Sequence, residues 1–169
     1  PFGNALEAAT TGRLGNWLAV GGRQIPHRIE AAPGSRLRLR LVNACNARLM
    51  RIRFDELKAY VIAVDGQPTD TFEPLRSTLP FSPGNRYELL IDLPAETGAK
   101  GALTALIGPG APLLTVAVSG EPAASKRPAL PPIAPLPENK LLPPAIKLQD
   151  ATRRDLVIAG GARRGPNGE

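Results

Sequence analysis

Between Gly34 and Phe54 the chain alternates apolar and charged residues on both sides of one short interruption. Leu37, Leu39 and Leu41 fall on one side of an extended chain, with Arg36, Arg38 and Arg40 on the other; Met50, Ile52 and Phe54 then alternate with Arg51 and Arg53. A period of two marks strands with one buried face. The interruption, Asn43-Ala44-Cys45-Asn46-Ala47, holds two asparagines, which tolerate turn conformations closed to β-branched residues. It predicts either a reversal or a corner between strands.

The same pattern recurs along much of the chain. Pro1 to Asn16 lacks a period and reads as an arm or connector. Trp17 to Val20, the Gly21-Gly22 turn and Arg23 to Glu30 predict a hairpin, and Ala32-Pro33-Gly34 punctuates before the alternating pair. After Asp55-Glu56, Leu57 to Val64 predicts a largely apolar strand, ended by Asp65-Gly66-Gln67-Pro68, where Asp-Gly signals a turn and proline forbids simple continuation. An extended piece near Phe72 and the run Leu75 to Phe81 follow. Ser82-Pro83-Gly84-Asn85 turns the chain into Arg86 to Leu93, with Tyr87, Leu89 and Ile91 opposite Glu88 and Asp92. Ala102 to Ile107 and Leu113 to Ser119 complete eight or nine short strands without a convincing amphipathic helix. Each strand has an apolar face that another sheet must cover, so the expected fold is an antiparallel β-sandwich or barrel over residues 17–120.

From Glu121 the composition changes. Eight prolines between Pro122 and Pro144 predict an extended, semi-rigid spacer over 121–149, because proline cannot donate to a β-ladder. A ligand for proline-reading modules is the other use of such a run. Beyond it Arg153 to Ala159, RRDLVIA, predicts one more strand before a Gly-, Arg- and Pro-rich tail, so residues 150–169 read as the opening of a further, truncated domain. With no Met at position 1 and no basic-then-apolar leader, the chain reads as a mature product or a piece of something longer.

Charge changes this picture little. The net charge of +6 divides evenly, with 13 basic and 10 acidic residues to Gly120 and 8 and 5 beyond, +3 in each part. Six arginines between Arg36 and Arg53 are the one concentration, and with aromatics at 4% a base-stacking platform is not evident. A solvated or interdomain sheet face is therefore expected, and no nucleic acid. No apolar run approaches the roughly 18 residues that span a bilayer, so no membrane partner is expected.

Candidate chemistry is sparse. A single cysteine, Cys45, excludes an internal disulfide and reads as a small packed residue at a strand end. The only histidine, His27, stands on another strand; a lone imidazole beside Arg28 reads as a surface or satisfied residue. Asp55, Glu56, Asp65, Asp70 and Glu73 cluster in sequence but match no acid-base or calcium spacing. Catalytic, cofactor and metal-site residues are accordingly expected to be none.

The order WLAVGGRQIPHRIEAAPGSRLRLRLVNACNARLMRIRF, VIAVDGQP and LPFSPGNRYELLID resembles the middle cupredoxin-like domain of three-domain multicopper oxidases, the laccase, bilirubin oxidase and copper-efflux oxidase group. The resemblance covers roughly residues 17 to 118 and rests on several short motifs in order. Gly21 stands where that family usually has Asn, which is benign because glycine also accepts positive φ; Cys45 stands where a small residue such as Ala is common. The resemblance implies a cupredoxin-like Greek-key β-sandwich and an extracytoplasmic, periplasmic setting. It implies a parent that oxidises phenols or metal ions and reduces O2 to water with copper. Its copper centres draw on His-x-His and His-Cys-His motifs in the first and third domains, and a blue-copper site needs two His and one Cys. This chain has one His and neither motif. The expectation is a non-catalytic scaffold whose partners are the flanking first and third domains. A free-standing interaction module and an arginine-rich nucleic-acid binder are the alternatives.

Overall fold

A computed structural model describes residues 5–10, 12–122, 130–142 and 147–157. A short helix α1 (Ala5–Thr10) precedes eleven strands: β1 (Ala19–Val20), β2 (Arg23–Gln24), β3 (His27–Ala31), β4 (Arg36–Val42), β5 (Met50–Asp55), β6 (Ala59–Val64), β7 (Gln67–Phe72), β8 (Thr78–Phe81), β9 (Arg86–Asp92), β10 (Lys100–Ala105) and β11 (Ala111–Val118). One sheet has the order β3-β11-β10-β5-β8, a second β4-β9-β6-β7, and β1 and β2 form a separate small hairpin. The β-sandwich expected from the alternation is present.

The two alternating runs that anchor the sequence pattern lie in different sheets, so the Asn43–Ala47 stretch is a corner. Their inward residues meet across the sandwich: Ile52 is fully buried and Phe54 nearly so, while Leu37, Leu39 and Leu41 pack against the same core. From β9 and β6, in the same sheet as β4, Leu89, Ile91 and Val61 complete its centre. Tyr87 and Phe81 tie the two layers together, their ring centroids 5.9 Å apart and the Tyr87 hydroxyl donating to the Pro80 carbonyl at 2.9 Å. The turns follow their residues: Asp65 and Gly66 both have positive φ, the requirement of a tight hairpin turn, and the Asn85 N–H closes Ser82-Pro83-Gly84-Asn85 onto the Ser82 carbonyl.

Three expectations need correcting. Arg23 to Glu30 is not one strand: Ile25-Pro26 separates β2 from β3, because proline has no N–H for the ladder. Trp17 lies outside β1 and is 84% exposed. The sandwich is also not purely antiparallel, since β3 runs parallel to β11 with His27 opposite Leu114 and Ala31 opposite Val118. That pairing joins strands far apart in sequence, which local periodicity does not report. In the N-terminal arm the Ala-rich run ALEAAT makes one helical stretch. Arg153 to Val157 carries no ladder among the described residues, and the rest of RRDLVIA and the tail lie outside them.

The Pro-rich segment is docked onto the sandwich. Over residues 131–140 only Ile133, Leu136 and Asn139 are half-buried, and the others are exposed. A repeat of three is that of polyproline II, which sets every third side chain on one ridge. The Arg36 guanidinium donates to the Pro131 carbonyl at 2.9 Å, and the Asn139 amide approaches the Gln67 side chain at 3.5 Å. The segment therefore crosses the outer face of the four-stranded sheet from β4 to β7.

Charges on the outer faces answer one another. On the four-stranded sheet Arg36 pairs with Asp92, and Glu88 accepts from both Arg38 and Arg40. On the other sheet Arg53 pairs with Asp55, which also accepts from the Thr104 hydroxyl at 2.6 Å. The Arg38 hydrogen bond outweighs burial and, with Arg40, holds the Glu88 carboxyl below its ordinary value. Burial would raise Asp55, but hydrogen bonds from Arg53 and Thr104 outweigh it and hold it low.

Three outcomes are expected. A carboxyl whose folded pKa is depressed contributes stability above its unfolded value and loses it as pH falls through the folded one, so the melting temperature should drop below about pH 4. Glu88→Gln should flatten that acid slope in a thermal-unfolding series. Gly101→Ala places a Cβ 2.3 Å from Leu57 Cδ2, 2.5 Å from its Cγ and 3.1 Å from the Asp55 carbonyl. It should lower unfolding free energy by about 1–3 kcal/mol in urea titration, as overpacking does. Asn43→Ala should cost about 1–3 kcal/mol, because it leaves the Phe81 carbonyl inside the corner without its donor; equal stability would contradict that role.

Candidate functional site

The corner after β4 is built around Asn43, which is 3% exposed. Its side-chain amide donates to the Phe81 carbonyl at 2.7 Å and the Arg48 carbonyl at 3.1 Å, and its Oδ1 accepts from the Cys45 N–H at 3.0 Å. Its backbone pairs with the Ser82–Asn85 turn through Asn85 and Gly84. Next to it, Arg48 holds the N-terminal arm by donating to the Leu14 and Gly15 carbonyls at 3.0 and 2.6 Å.

Above this corner the two sheets part around a cavity of about 680 Å³. It is lined by Leu39 and Leu41 of β4, Met50 of β5, Phe81 of β8, Leu103 of β10, Leu114 of β11 and Ile29 of β3, with Leu18 and Val20 at its rim. His27 and Cys45 both line it, although the sequence puts them on separate elements. The cysteine is free and half-buried, and the imidazole opens edge strand β3. Val42 in its lining is apolar yet 59% exposed, and Leu49 and Trp17, next in sequence to the lining residues Met50 and Leu18, are 72% and 84% exposed. Sequence reading did not find this opening, which needs side chains from seven strands; the alternating leucines of β4 were its only local trace.

The donor set does not suit a copper centre. The lining supplies one imidazole and one thiol and no carboxylate, against a surround of aliphatic side chains. Met50 is a soft donor, but β5 lies three strands from β3 in the sheet order, about 14 Å at ordinary strand spacing, too far to share an ion with His27. Among the described residues no three His, Cys, Asp or Glu side chains are grouped to hold a metal.

The carboxylate cluster divides. Asp55, Glu56 and Glu73 meet at a polar depression of about 560 Å³, where Arg53 answers Asp55 and Lys58 answers Glu73 at 3.2 Å. Asp65 lies at the other end of β6, its Oδ1 accepting the Arg86 N–H at 2.8 Å, and Asp70 is exposed on β7. A depressed Asp55 beside an arginine is a structural ion pair and a poor proton donor at neutral pH. The arginines divide as well, with Arg36, Arg38 and Arg40 on one sheet and Arg51 and Arg53 on the other, so they form no continuous basic strip.

Comparison with known proteins agrees with this architecture. The family model for multicopper oxidases matches residues 10–101. Cell division protein FtsP of Proteus mirabilis (strain HI4320) is 46% identical over 89 residues, 52% of this chain and 18% of that protein. FtsP of Edwardsiella tarda (strain FL6-60) is 37% identical over 82 residues, 48% of this chain and 17% of that protein. Among solved structures, a multi-copper oxidase from Pseudomonas thermotolerans aligns with a TM-score of 0.70 at 30% identity, covering 86% of this chain and 33% of that one. One from Pseudomonas parafulva gives 0.61 at 29%, covering 80% and 32%. The chain thus spans under a fifth of the FtsP proteins and about a third of the oxidases. With a cupredoxin-like sandwich, the motif order along β1 to β9 and a family match over more than half its length, this chain belongs to the multicopper oxidase family.

Proposed function

We propose that this chain is a non-catalytic scaffold domain, the middle one of its parent, which holds copper-bearing first and third cupredoxin domains in place without giving them a ligand. The exposed apolar end carries this reading. Val42 lines a leucine-rich cavity, and Trp17 and Leu49, next in sequence to its lining residues Leu18 and Met50, are largely exposed, an apolar surface whose contact with water is unfavourable unless a neighbour covers it. The missing donors support it, because a domain with one imidazole builds neither a blue-copper site nor a trinuclear cluster. On this reading the parent is an extracytoplasmic copper-dependent oxidase of phenols or metal ions that reduces O2. Its chemistry lies outside this chain, and the sandwich supplies distance and orientation.

The likeness to FtsP favours a second reading. At 46% identity over half the chain, the Proteus mirabilis protein is named for cell division, and a parent of that kind would use the same sandwich for assembly in place of oxidation.

One experiment on the whole parent protein separates them. Copper per chain and O2 consumption with a phenol or Fe(II) are measured for the native protein, His27→Ala, Cys45→Ala and the pair Trp17→Ser with Leu49→Ser. The scaffold reading expects unchanged copper content in the first two variants. In the last it expects copper content and turnover to fall, because the neighbours lose their seat. Stoichiometric copper lost with His27→Ala overturns it. A native protein that takes up no copper and whose removal blocks division supports the second reading.

A further inference from the structure

The outer face of the four-stranded sheet carries an apolar strip among its charges. Tyr60 and Leu90 are opposite one another on β6 and β9 and half-buried, and Ile62 is 1% exposed. Ile62 stands at the register shift of β6, where Val61 faces Leu89 and Ala63 faces Glu88, and it is not among the residues packed into the inter-sheet core. The Pro-rich segment crosses the outer side of this same sheet.

The dimensions agree. Arg36 is opposite Asp92, and Gln67 is opposite Val64, itself opposite Tyr87, so the two anchors differ by five residues along the strands and three strand spacings across them. That diagonal is about 22 Å at ordinary strand geometry. Pro131 to Asn139 in polyproline II rises about 25 Å. The segment also has its ridge on the sheet side, Ile133 and Leu136, and a polar anchor at each end, Pro131 on Arg36 and Asn139 on Gln67.

We propose that the outer face of β4-β9-β6-β7 is a polyproline II docking surface and that its occupant is residues 131–139 of the same chain, held in a single register. The segment is a strap that fixes where and in which direction the chain leaves the sandwich, at the β7 edge. It does not act as a spacer of variable reach. Proline suits this use twice: it lowers the entropy lost on docking, and it leaves fewer N–H groups needing partners over a sheet face. Arg36 gains a purpose beyond its ion pair with Asp92, since its Nη1 donates to the Pro131 carbonyl while Nε and Nη2 hold Asp92.

The test is a distance measurement on the full chain. In a Cys45→Ala background, spin labels are placed at Glu96→Cys, on an exposed loop, and at Lys140→Cys, just past the strap. A single narrow distance distribution is expected. Ile133→Ser with Leu136→Ser should broaden it and raise hydrogen exchange at β6 amides around Ile62 by about tenfold or more, as local opening does. Ala134→Ser with Pro137→Ser, off the ridge, should leave both unchanged. Unchanged exchange in β10, in the other sheet, certifies the fold of each variant, with Leu136→Ser alone as the milder probe. A broad distribution in the parent chain overturns the proposal, and so does an equal response to ridge and off-ridge pairs.

Discussion

The structure depends on a buried amide at the place where the chain leaves one sheet for the other. A sandwich needs its strands to change layers, and every such crossing strands backbone groups that neither ladder can satisfy. At the corner after β4, Asn43 resolves this by itself: its amide serves carbonyls of Phe81 and Arg48, its oxygen receives Cys45, and its backbone secures the Ser82–Asn85 turn. Because β4 belongs to one sheet and Phe81 to the other, this one side chain fixes their separation at the end where the cavity opens. Water at that open end would compete for each of these groups, so the nearly complete burial of Asn43 is what gives the amide its worth.

Around this clamp the molecule divides its surface by purpose. The outer faces are charged and paired in part, with Glu88 between two arginines and Asp55 between Arg53 and Thr104. The end above Asn43 is the reverse, apolar and open. A domain that held a copper would need imidazoles at such an opening, and this one presents leucines, one His and one Cys. Membership in a copper-enzyme family and a donor set unsuited to copper are compatible when the family divides its ligands among domains, which is the basis of the scaffold reading.

The Pro-rich segment extends the same division of labour. In the proposed docking its ridge covers the apolar strip of Tyr60, Ile62 and Leu90 on an otherwise charged face. Covering that strip with a ladder-incapable chain also removes the risk of sheet-on-sheet association.

Much of the sandwich was written locally. Alternation marked β4, β5 and β9 with the correct inward faces, and Asp65-Gly66 and Ser82–Asn85 marked the turns into β7 and β9, because these properties depend on neighbours within a few residues. The tertiary structure alone decided that the Asn43 stretch is a corner, that β3 pairs parallel with β11, that His27 and Cys45 share a cavity, and that the proline run lies against β4 to β7. Each of these joins residues distant in sequence, and a strand's period of two says which face is buried but not which sheet will bury it.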